Sequence, residues 1–264
     1  MHPIAFHLGS LPVRWYGVMM ALAFLAGLWT ATRRARRVNV AGGIISDITL
    51  WLMLGSIIGA RFVYVTTYWK TEFASQPLSE IFMIQHGGLV YYGGLIGATL
   101  AGMIFIRWKK LPLWKMADIF APSIALGSVF GRIGCLLNGC CYGYACDLPW
   151  AIHFPADHET HGAAVHPTEI YDALLNLVLY FVLAWWFRRK KFDGQIFAAY
   201  LLGYAALRSL VECFRGDYLP AEYFFGGWVT PGQFVSLGIA AAGLILLWLL
   251  PRRMEKRVEV EKRG

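Results

Sequence analysis

Long apolar runs separated by short polar or basic loops dominate the pattern of hydrophobic and polar positions along this chain. A helix needs about 20 largely apolar residues to cross the roughly 30 Å hydrocarbon core of a bilayer. Seven runs are close to this length, and proline stands at the start of two of them, at Pro167 and Pro231, where it is tolerated. The pattern predicts transmembrane helices over residues 15–32, 44–66, 88–107, 117–138, 168–187, 194–214 and 231–250.

These spans predict an all-α integral membrane protein in which residues 1–250 form a single transmembrane helical domain. Small extracytoplasmic segments are expected at about 67–87, 139–167 and 215–230, and residues 251–264 are expected to form a basic cytoplasmic tail. The composition agrees with this class, because 58% of the 264 residues are hydrophobic and only 15% are charged. A soluble domain of this size carries more charge than that.

The basic residues are distributed unevenly between alternate loops. Of the 24 Lys and Arg residues, four follow each of the first, third and fifth spans, and six follow the seventh. Cytoplasmic loops of membrane proteins carry an excess of Lys and Arg, so the N-terminus is predicted outside and the C-terminus in the cytoplasm. The same placement accounts for the net charge of +8 without a nucleic-acid partner.

Three arginines, Arg61, Arg132 and Arg208, lie within or near the outer ends of predicted spans. An arginine at the centre of a membrane helix costs at least about 2.5 kcal/mol, so its presence needs a reason. Each of the three could reach the interface or form a structural ion pair. Their shared placement favours an anionic ligand near the outer leaflet, because guanidinium binds phosphate in a bidentate manner.

Arg208, Glu212 and Arg215 follow one another at positions i, i+4 and i+7 of one helical face. Glu212 is therefore expected to stay ionised and to hold both arginines in place. The arrangement is compatible with a purely structural role and with an oriented cationic binding site.

The segment Gly131–Gly143 combines Arg132 with closely spaced glycines at the end of a span. Glycine allows helices to pack closely or lets backbone amides approach a ligand. Irregular backbone at membrane depth is tolerated only against protein or a wet cavity, and Asn138 would line such a cavity. This segment is the strongest candidate site in the sequence.

Aromatic residues and glycines near the starts of the first and third spans give further candidates. Gly93 and Gly97 form a GxxxG pair that is typical of helix packing. Tyr92, beside Gly93 and Gly94, could place its phenol in a pocket or in the core. Tyr16 belongs to an aromatic pair that suits the membrane interface or a site.

Polar residues also begin the fifth span. His166 precedes Pro167, and its simplest interpretation is an N-terminal cap. Glu169 and Asp172 lie in the first turns of this helix, where a carboxylate interacts favourably with the helix dipole.

The chain has five cysteines, an odd number that excludes a fully paired disulfide framework. Four of them, Cys135, Cys140, Cys141 and Cys146, have a C-x4-C-C-x4-C spacing that fits no common zinc or iron–sulfur pattern well. They are interpreted as buried free thiols, and a disulfide between two of them outside the membrane is the alternative.

Taken in order, the motifs resemble those of the bacterial prolipoprotein diacylglyceryl transferase family, and the similarity covers nearly the whole chain. Any one motif is weak, but the ordered set across seven spans is highly specific. The motifs are Trp15-Tyr16-Gly17, Gly59-Ala60-Arg61, Tyr92-Gly93-Gly94-Leu95-Ile96-Gly97, the segment Gly131–Gly143, His166-Pro167-Thr168-Glu169-Ile170-Tyr171, Arg208 through Arg215, and Gly232-Gln233.

The resemblance implies transfer of the diacylglyceryl group from phosphatidylglycerol to the thiol of the lipobox cysteine in a preprolipoprotein signal peptide. This is the first step of bacterial lipoprotein modification, and it releases glycerol phosphate. The resemblance further implies a multi-pass enzyme of the bacterial cytoplasmic (inner) membrane, surrounded by membrane lipids, with its active site toward the outer leaflet. No metal or cofactor is expected.

The resemblance also implies roles for individual residues. Arg132 and Arg208 are the essential arginines, Glu212 orients Arg208, and Tyr92 completes the expected catalytic set. The expected substrate-binding positions for phosphatidylglycerol are Tyr16, Arg61, Gly93, Gly94, Arg132, Asn138, Gly143, His166, Glu169 and Arg208.

The sequence departs from the family pattern at three positions. Many relatives have His-Gly-Gly where this chain has Tyr92-Gly93-Gly94, and Cys135 and Cys140 replace an asparagine and an acidic residue of the glycine-rich segment. This chain has no histidine at position 92, so a histidine at that position cannot act as the general base in this protein. Either Tyr92 takes over a hydrogen-bonding role, or the substrate thiol is activated mainly by electrostatics.

Two other classes of protein remain compatible with the residues alone. A membrane transporter for an organic anion would use the same arginines, but such transporters usually show internal repeats, and none is convincing here. A thiol-redox membrane enzyme would depend on the cysteines of the segment 135–146, whereas a transferase is expected to survive their replacement.

Overall fold

The computed structural model describes residues 4–9, 11–74, 76–83, 87–216, 224 and 229–263. Parts of the predicted extracytoplasmic segments 67–87 and 215–230 lie outside these residues. The described residues form seven α-helices, namely α1 (Trp15–Arg37), α2 (Gly42–Thr67), α3 (Tyr91–Trp108), α4 (Leu113–Asn138), α5 (Thr168–Trp186), α6 (Gln195–Glu212) and α7 (Pro231–Arg263). They also form two antiparallel hairpins, one of β1 (Ile4–Leu8) and β2 (Leu11–Arg14) and one of β3 (Ile152–His153) and β4 (Ala164–Val165).

Each predicted span overlaps one α-helix. Among the described residues, five helical segments are long and apolar enough to cross a membrane: Trp15–Arg37, Gly42–Thr67, Leu113–Asn138, Thr168–Arg189 and Pro231–Arg252. This agrees with a helical, multi-pass membrane protein. The seven-span count and the orientation stay predictions. The hairpins were not predicted, and α7 continues through the segment interpreted as a basic tail; no side chain beyond Arg252 is described.

The chain forms two compact units. One contains Met1–Ala31 and Ala117–Gly264, and the other contains Thr32–Met116. In the second unit, α2 and α3 pack closely because glycines face one another. A Cβ atom on Gly97 would strike the carbonyl oxygen of Gly55 and would lie 2.9 Å from the Cα atom of Gly59. The GxxxG pair Gly93 and Gly97 thus has the packing role that its spacing indicated.

In the first unit, a buried carboxylate at the beginning of α4 fixes the N-terminus of α6. Asp118 is fully buried and accepts hydrogen bonds from the backbone N–H groups of Gly194, Ile196 and Phe197 at 2.9–3.0 Å. It also accepts one from Lys190 Nζ at 2.8 Å. The carboxylate satisfies free N–H groups at the end where the helix dipole is positive. Asp118 therefore anchors the helix that carries Arg208.

Candidate functional site

Charged side chains from α4, α5, α6 and the turn just after α6 form a chain of ion pairs inside the first unit. Arg132 Nε lies 2.8 Å from Asp172 Oδ2, and Arg208 Nη1 lies 3.6 Å from the same oxygen. Arg208 Nη2 also pairs with Glu212, which accepts a hydrogen bond of 3.2 Å from Arg215 Nη1. Three guanidiniums and two carboxylates therefore alternate, with Asp172 joining the arginine of α4 to that of α6.

The two arginines that meet at Asp172 keep N–H groups for another acceptor. Arg208 Nη1 is buried and has no hydrogen-bond partner within the described part of the chain. Across the same residues, the terminal nitrogens of Arg132 form no hydrogen bond or ion pair with protein, and its side chain is 20% exposed. Planar guanidinium N–H groups are suited to bidentate binding of phosphate. The geometry therefore offers an anion two adjacent cationic donors.

Both carboxylates are themselves held by neighbouring residues. Asp172 Oδ1 accepts a hydrogen bond of 2.6 Å from Asn176 Nδ2, one turn later in α5. Glu212 Oε2 accepts one of 2.7 Å from the Thr230 hydroxyl, just before α7. The backbone of Gly232 lies against the Glu212 carboxylate so closely that a Cβ atom there would strike it. These contacts fix the orientation of the carboxylates and, through them, of the arginines.

The loop after α4 connects the ends of three helices. Gly143 N–H donates to the carbonyl of His166 at 3.0 Å, and Tyr144 N–H donates to that of Phe214 at 3.0 Å. A Cβ atom on Gly143 would lie 2.6 Å from both His166 Cβ and the Phe214 oxygen, so only glycine fits. Two of the predicted site residues, Gly143 and His166, therefore contact each other and hold the backbone beside the ion-pair chain.

The His166 ring belongs to a small polar and aromatic cluster outside the ion-pair chain. The Tyr171 hydroxyl lies 3.2 Å from His166 Nδ1 and accepts a hydrogen bond of 2.8 Å from Trp150 Nε1. The ring of His166 also packs 5.4 Å from that of Phe214. These contacts give His166 a fixed orientation at the start of α5, beyond the capping role that its sequence position suggested.

Asn138, the last residue of α4, lies beside a group of thiols. Its Nδ2 atom is 4.0 Å from Cys140 Sγ. Hydrogen bonds from Cys135 and then Cys140, together with the positive charges of Arg132 and Arg215, lower the pKa of Cys141 below the usual range of a thiol. Cys141 also lies close enough to Arg132 for the two side chains to interact electrostatically.

Arg61 belongs to the second unit, where it organises a loop. Its guanidinium donates hydrogen bonds of 2.6–3.4 Å to five backbone carbonyls, those of Glu80, Ile81, Met83, Gly87 and Gly88. The side chain is buried, and all five of its N–H donors have backbone acceptors. This explains why an arginine is retained in α2. Its predicted contact with phosphatidylglycerol stays a prediction.

The remaining predicted residues occupy different environments. In the second unit, Tyr92 is 60% exposed in the first turn of α3, Gly93 packs against Gly59 of α2, and Gly94 lies near Ser56. In the first unit, Tyr16 of α1 packs against Gly134 of α4, where a Cβ atom would lie 3.1 Å from its ring. Glu169, also in the first unit, is buried in the first turn of α5, three residues before Asp172.

Comparison with known proteins identifies the family. A family model described as prolipoprotein diacylglyceryl transferase matches residues 3–249. The chain belongs to this family. Several relatives are named phosphatidylglycerol–prolipoprotein diacylglyceryl transferase. The relative from Finegoldia magna is 37% identical, over 93% of this chain and 94% of the relative. The relative from Bordetella avium is 36% identical, over 97% of this chain and 97% of the relative. The relative from Synechococcus elongatus is 35% identical, over 94% of this chain and 87% of the relative.

In this diacylglyceryl transferase, Asp172 is a residue of the candidate site that the sequence motifs did not assign to it. The sequence placed Asp172 in the first turns of α5, where the helix dipole accounts for a carboxylate. One signal was available: Asp172 and Asn176 are four residues apart on one face of an otherwise apolar helix. A polar pair inside a membrane span usually faces a partner or a site.

We expect Asp172→Asn to lower the rate of diacylglyceryl transfer at least about tenfold, a loss of about 1.4 kcal/mol. The amide keeps the size of the carboxylate but removes the charge that orients both Arg132 and Arg208. Initial rates over a range of phosphatidylglycerol concentrations would measure the effect on kcat and KM separately.

Two further variants separate this positioning role from a general effect on folding. Asp157→Asn changes an exposed carboxylate in the loop between α4 and α5 and should behave as wild type. Asp172→Glu retains the charge and should recover part of the rate. Equal activity of Asp172→Asn and wild type would exclude the positioning role.

Proposed function

We propose that this protein transfers the diacylglyceryl group of phosphatidylglycerol to the thiol of the lipobox cysteine in preprolipoproteins. The relatives that match almost the whole chain carry this activity in their names. The observation that supports it most directly is the pair of arginines, Arg132 and Arg208, that meet at Asp172 with N–H groups left for an anion.

The proposed reaction is a displacement at a glycerol carbon. The thiol sulfur forms a bond to the glyceryl carbon that carries the phosphate ester, and the bond between that carbon and the ester oxygen breaks. Glycerol phosphate leaves with the bonding electrons, and the thiol loses its proton. Negative charge accumulates on the departing phosphate, so Arg132 and Arg208 would stabilise the transition state more than the bound lipid.

The ion-pair chain suits this task because it fixes the arginines before the lipid arrives. Arg208 is held by Glu212, which is in turn held by Arg215 and Thr230. Donors that are already oriented need no reorganisation as charge develops. In this proposal Glu212 is a positioning residue, and Asn138, Gly143 and His166 shape the surrounding backbone.

Two routes remain open for the proton of the thiol. In the first, the Tyr92 hydroxyl relays the proton to water; in the second, the positive field of the arginines favours the thiolate and the proton passes directly to solvent. We expect Tyr92→Phe to show a partial loss of transfer activity. The variant lacks the phenol hydroxyl, but the positive field of the arginines can still favour the thiolate. A fully inactive Tyr92→Phe variant would assign the proton transfer to the phenol.

The membrane arrangement is part of the same proposal. Helices α3 and α6 have 18 residues each, a length of about 27 Å at 1.5 Å per residue, close to the roughly 30 Å of a bilayer core. We propose that they also cross the membrane, giving seven spans. The basic loops then lie in the cytoplasm, the N-terminus lies outside, and the arginine site lies toward the outer leaflet of the bacterial cytoplasmic membrane.

A direct assay tests the activity. Purified full-length protein in detergent or vesicles is mixed with phosphatidylglycerol and a peptide that contains a lipobox cysteine, and the peptide mass is followed. We expect the peptide to gain one diacylglyceryl group and glycerol phosphate to accumulate in equal amount. A matched peptide with serine in place of the cysteine should stay unmodified. Absence of modified peptide when phosphatidylglycerol is in excess would refute the proposal.

A further inference from the structure

Three thiols at the end of α4 converge on one point. The sulfur atoms of Cys135, Cys140 and Cys141 all lie within 4.8 Å of one another. All three side chains are partly buried, and none is in a disulfide. Cys146 and Cys213, the other two cysteines, do not belong to this group, which we call the thiol cluster.

The way in which α4 ends brings the thiols together. Gly139 has a φ of +75°, its N–H donates to the carbonyl of Leu136, and Cys140 N–H donates to that of Cys135 at 3.1 Å. These are the two hydrogen bonds of a Schellman motif, which folds the chain back over the last turn of the helix. Cys140 therefore lies against Cys135, and its thiol is 3.7 Å from the Cys135 carbonyl oxygen.

Cys141 joins the other two thiols through an unusual backbone conformation. Its φ is +73°, a value that side chains other than asparagine and aspartate seldom adopt. The conformation is stabilised from α5, because the Thr168 hydroxyl donates a hydrogen bond of 2.6 Å to the Cys141 carbonyl. Strained backbone that neighbouring residues hold in place is found preferentially at functional sites.

We propose that Cys135, Cys140 and Cys141 form a binding site for one thiophilic metal ion of the zinc or copper(I) type. Zinc–sulfur bonds of about 2.3 Å place the sulfurs of a tetrahedral centre about 3.8 Å apart, so small side-chain rotations close the cluster around an ion. Soft thiolate ligands select zinc and copper(I) over magnesium and calcium.

Positive charge near the cluster favours this assignment. Three thiolates around a divalent ion carry one net negative charge, which is costly in a partly buried place unless it is compensated. Arg132 lies one helical turn before Cys135 in α4, and the backbone of Arg215 pairs with that of Gly143, two residues after Cys141. The proposal departs from the expectation, drawn from the cysteine spacing alone, that these residues bind no metal. It does not rest on the proposed transferase activity.

A cadmium titration tests the site directly. Full-length protein, purified with reductant and freed of metal by a chelator, is titrated with Cd²⁺ while the near-ultraviolet absorption of cadmium–thiolate bonds is recorded. We expect saturation at one Cd²⁺ per protein, with competition by an excess of Zn²⁺ but none by the same excess of Mg²⁺. Serine at any one of the three cluster positions should weaken binding at least about tenfold, since one of three ligands is lost.

The matched control uses the cysteines outside the cluster. The double variant Cys146→Ser/Cys213→Ser keeps only the three cluster thiols and should bind Cd²⁺ as wild type does. Because it leaves the cluster untouched, this variant is informative even if a cluster variant folds poorly. Three outcomes would overturn the proposal: no stoichiometric binding, loss of binding in the double variant, or a disulfide within the cluster when the protein is isolated from membranes without reductant.

Discussion

Arg132→Ala and Arg208→Ala are each expected to abolish measurable diacylglyceryl transfer while the protein stays in the membrane. Each substitution removes one of the two guanidiniums that share Asp172 Oδ2 and that retain N–H groups for a phosphate. Removal of one donor that stabilises charge in a transition state typically costs about 100- to 1,000-fold in rate. Lipidation of a reporter prolipoprotein in cells depleted of their own transferase would measure the loss.

Substitution by lysine separates charge from geometry at the same two positions. Lysine keeps the positive charge but lacks the planar fork of donors, so we expect activity between those of the alanine variant and wild type. Arg188→Ala is the matched control, because Arg188 is exposed just after the opposite end of α5 from Asp172. Normal lipidation by both alanine variants would remove the basis of the proposed mechanism.

Gly59→Ala is expected to lower the stability of the protein strongly, although it adds a single methyl group. The new Cβ atom would strike the carbonyl oxygen of Gly93 and would lie 2.8 Å from the Cα atom of Gly97. Both obstacles are backbone atoms, so α2 and α3 would have to separate. Overpacking of this kind costs about 1–3 kcal/mol, and thermal unfolding in detergent would measure it.

Gly43→Ala in the same helix provides the comparison for this effect. A Cβ atom on Gly43, in the first turn of α2, would meet no other atom within 4 Å, so the helix propensity of alanine should stabilise α2 slightly, by at most about 0.5 kcal/mol. The two variants add the same methyl group to one helix and should therefore shift the melting temperature in opposite directions. Equal melting temperatures would contradict the close packing of α2 on α3.

Hydrophobic patterning was sufficient to locate the helices of this protein. A bilayer requires an unbroken apolar stretch for each crossing, so the spans are visible as runs, and every predicted run overlaps an observed helix. The boundaries were less accurate, because they depend on local hydrogen bonds. The hairpins were missed, since strands of two to five residues leave no clear periodicity in the sequence.

Contacts along one helix could also be predicted, because helical spacing is fixed. Arg208, Glu212 and Arg215 share the ion-pair network that their i, i+4 and i+7 positions indicated, although α6 ends at Glu212 and Arg215 lies in the turn after it. The packing role of Gly93 and Gly97 followed from the same kind of spacing. The contacts of Arg61 could not be predicted in this way. The sequence indicated that this arginine has a role, but the loop carbonyls that it binds lie 19 to 27 residues later in the chain.

The sequence by itself determined the membrane-protein class, the positions of the helices, and the identity of the arginines that need a partner. Only the tertiary structure decided that Asp172 links Arg132 to Arg208, and that three cysteines with an unfamiliar spacing come together. The physical reason is the same in both cases. Residues from different helices and turns meet through packing and backbone conformation, and neither distance is encoded in the spacing of residues along a single element.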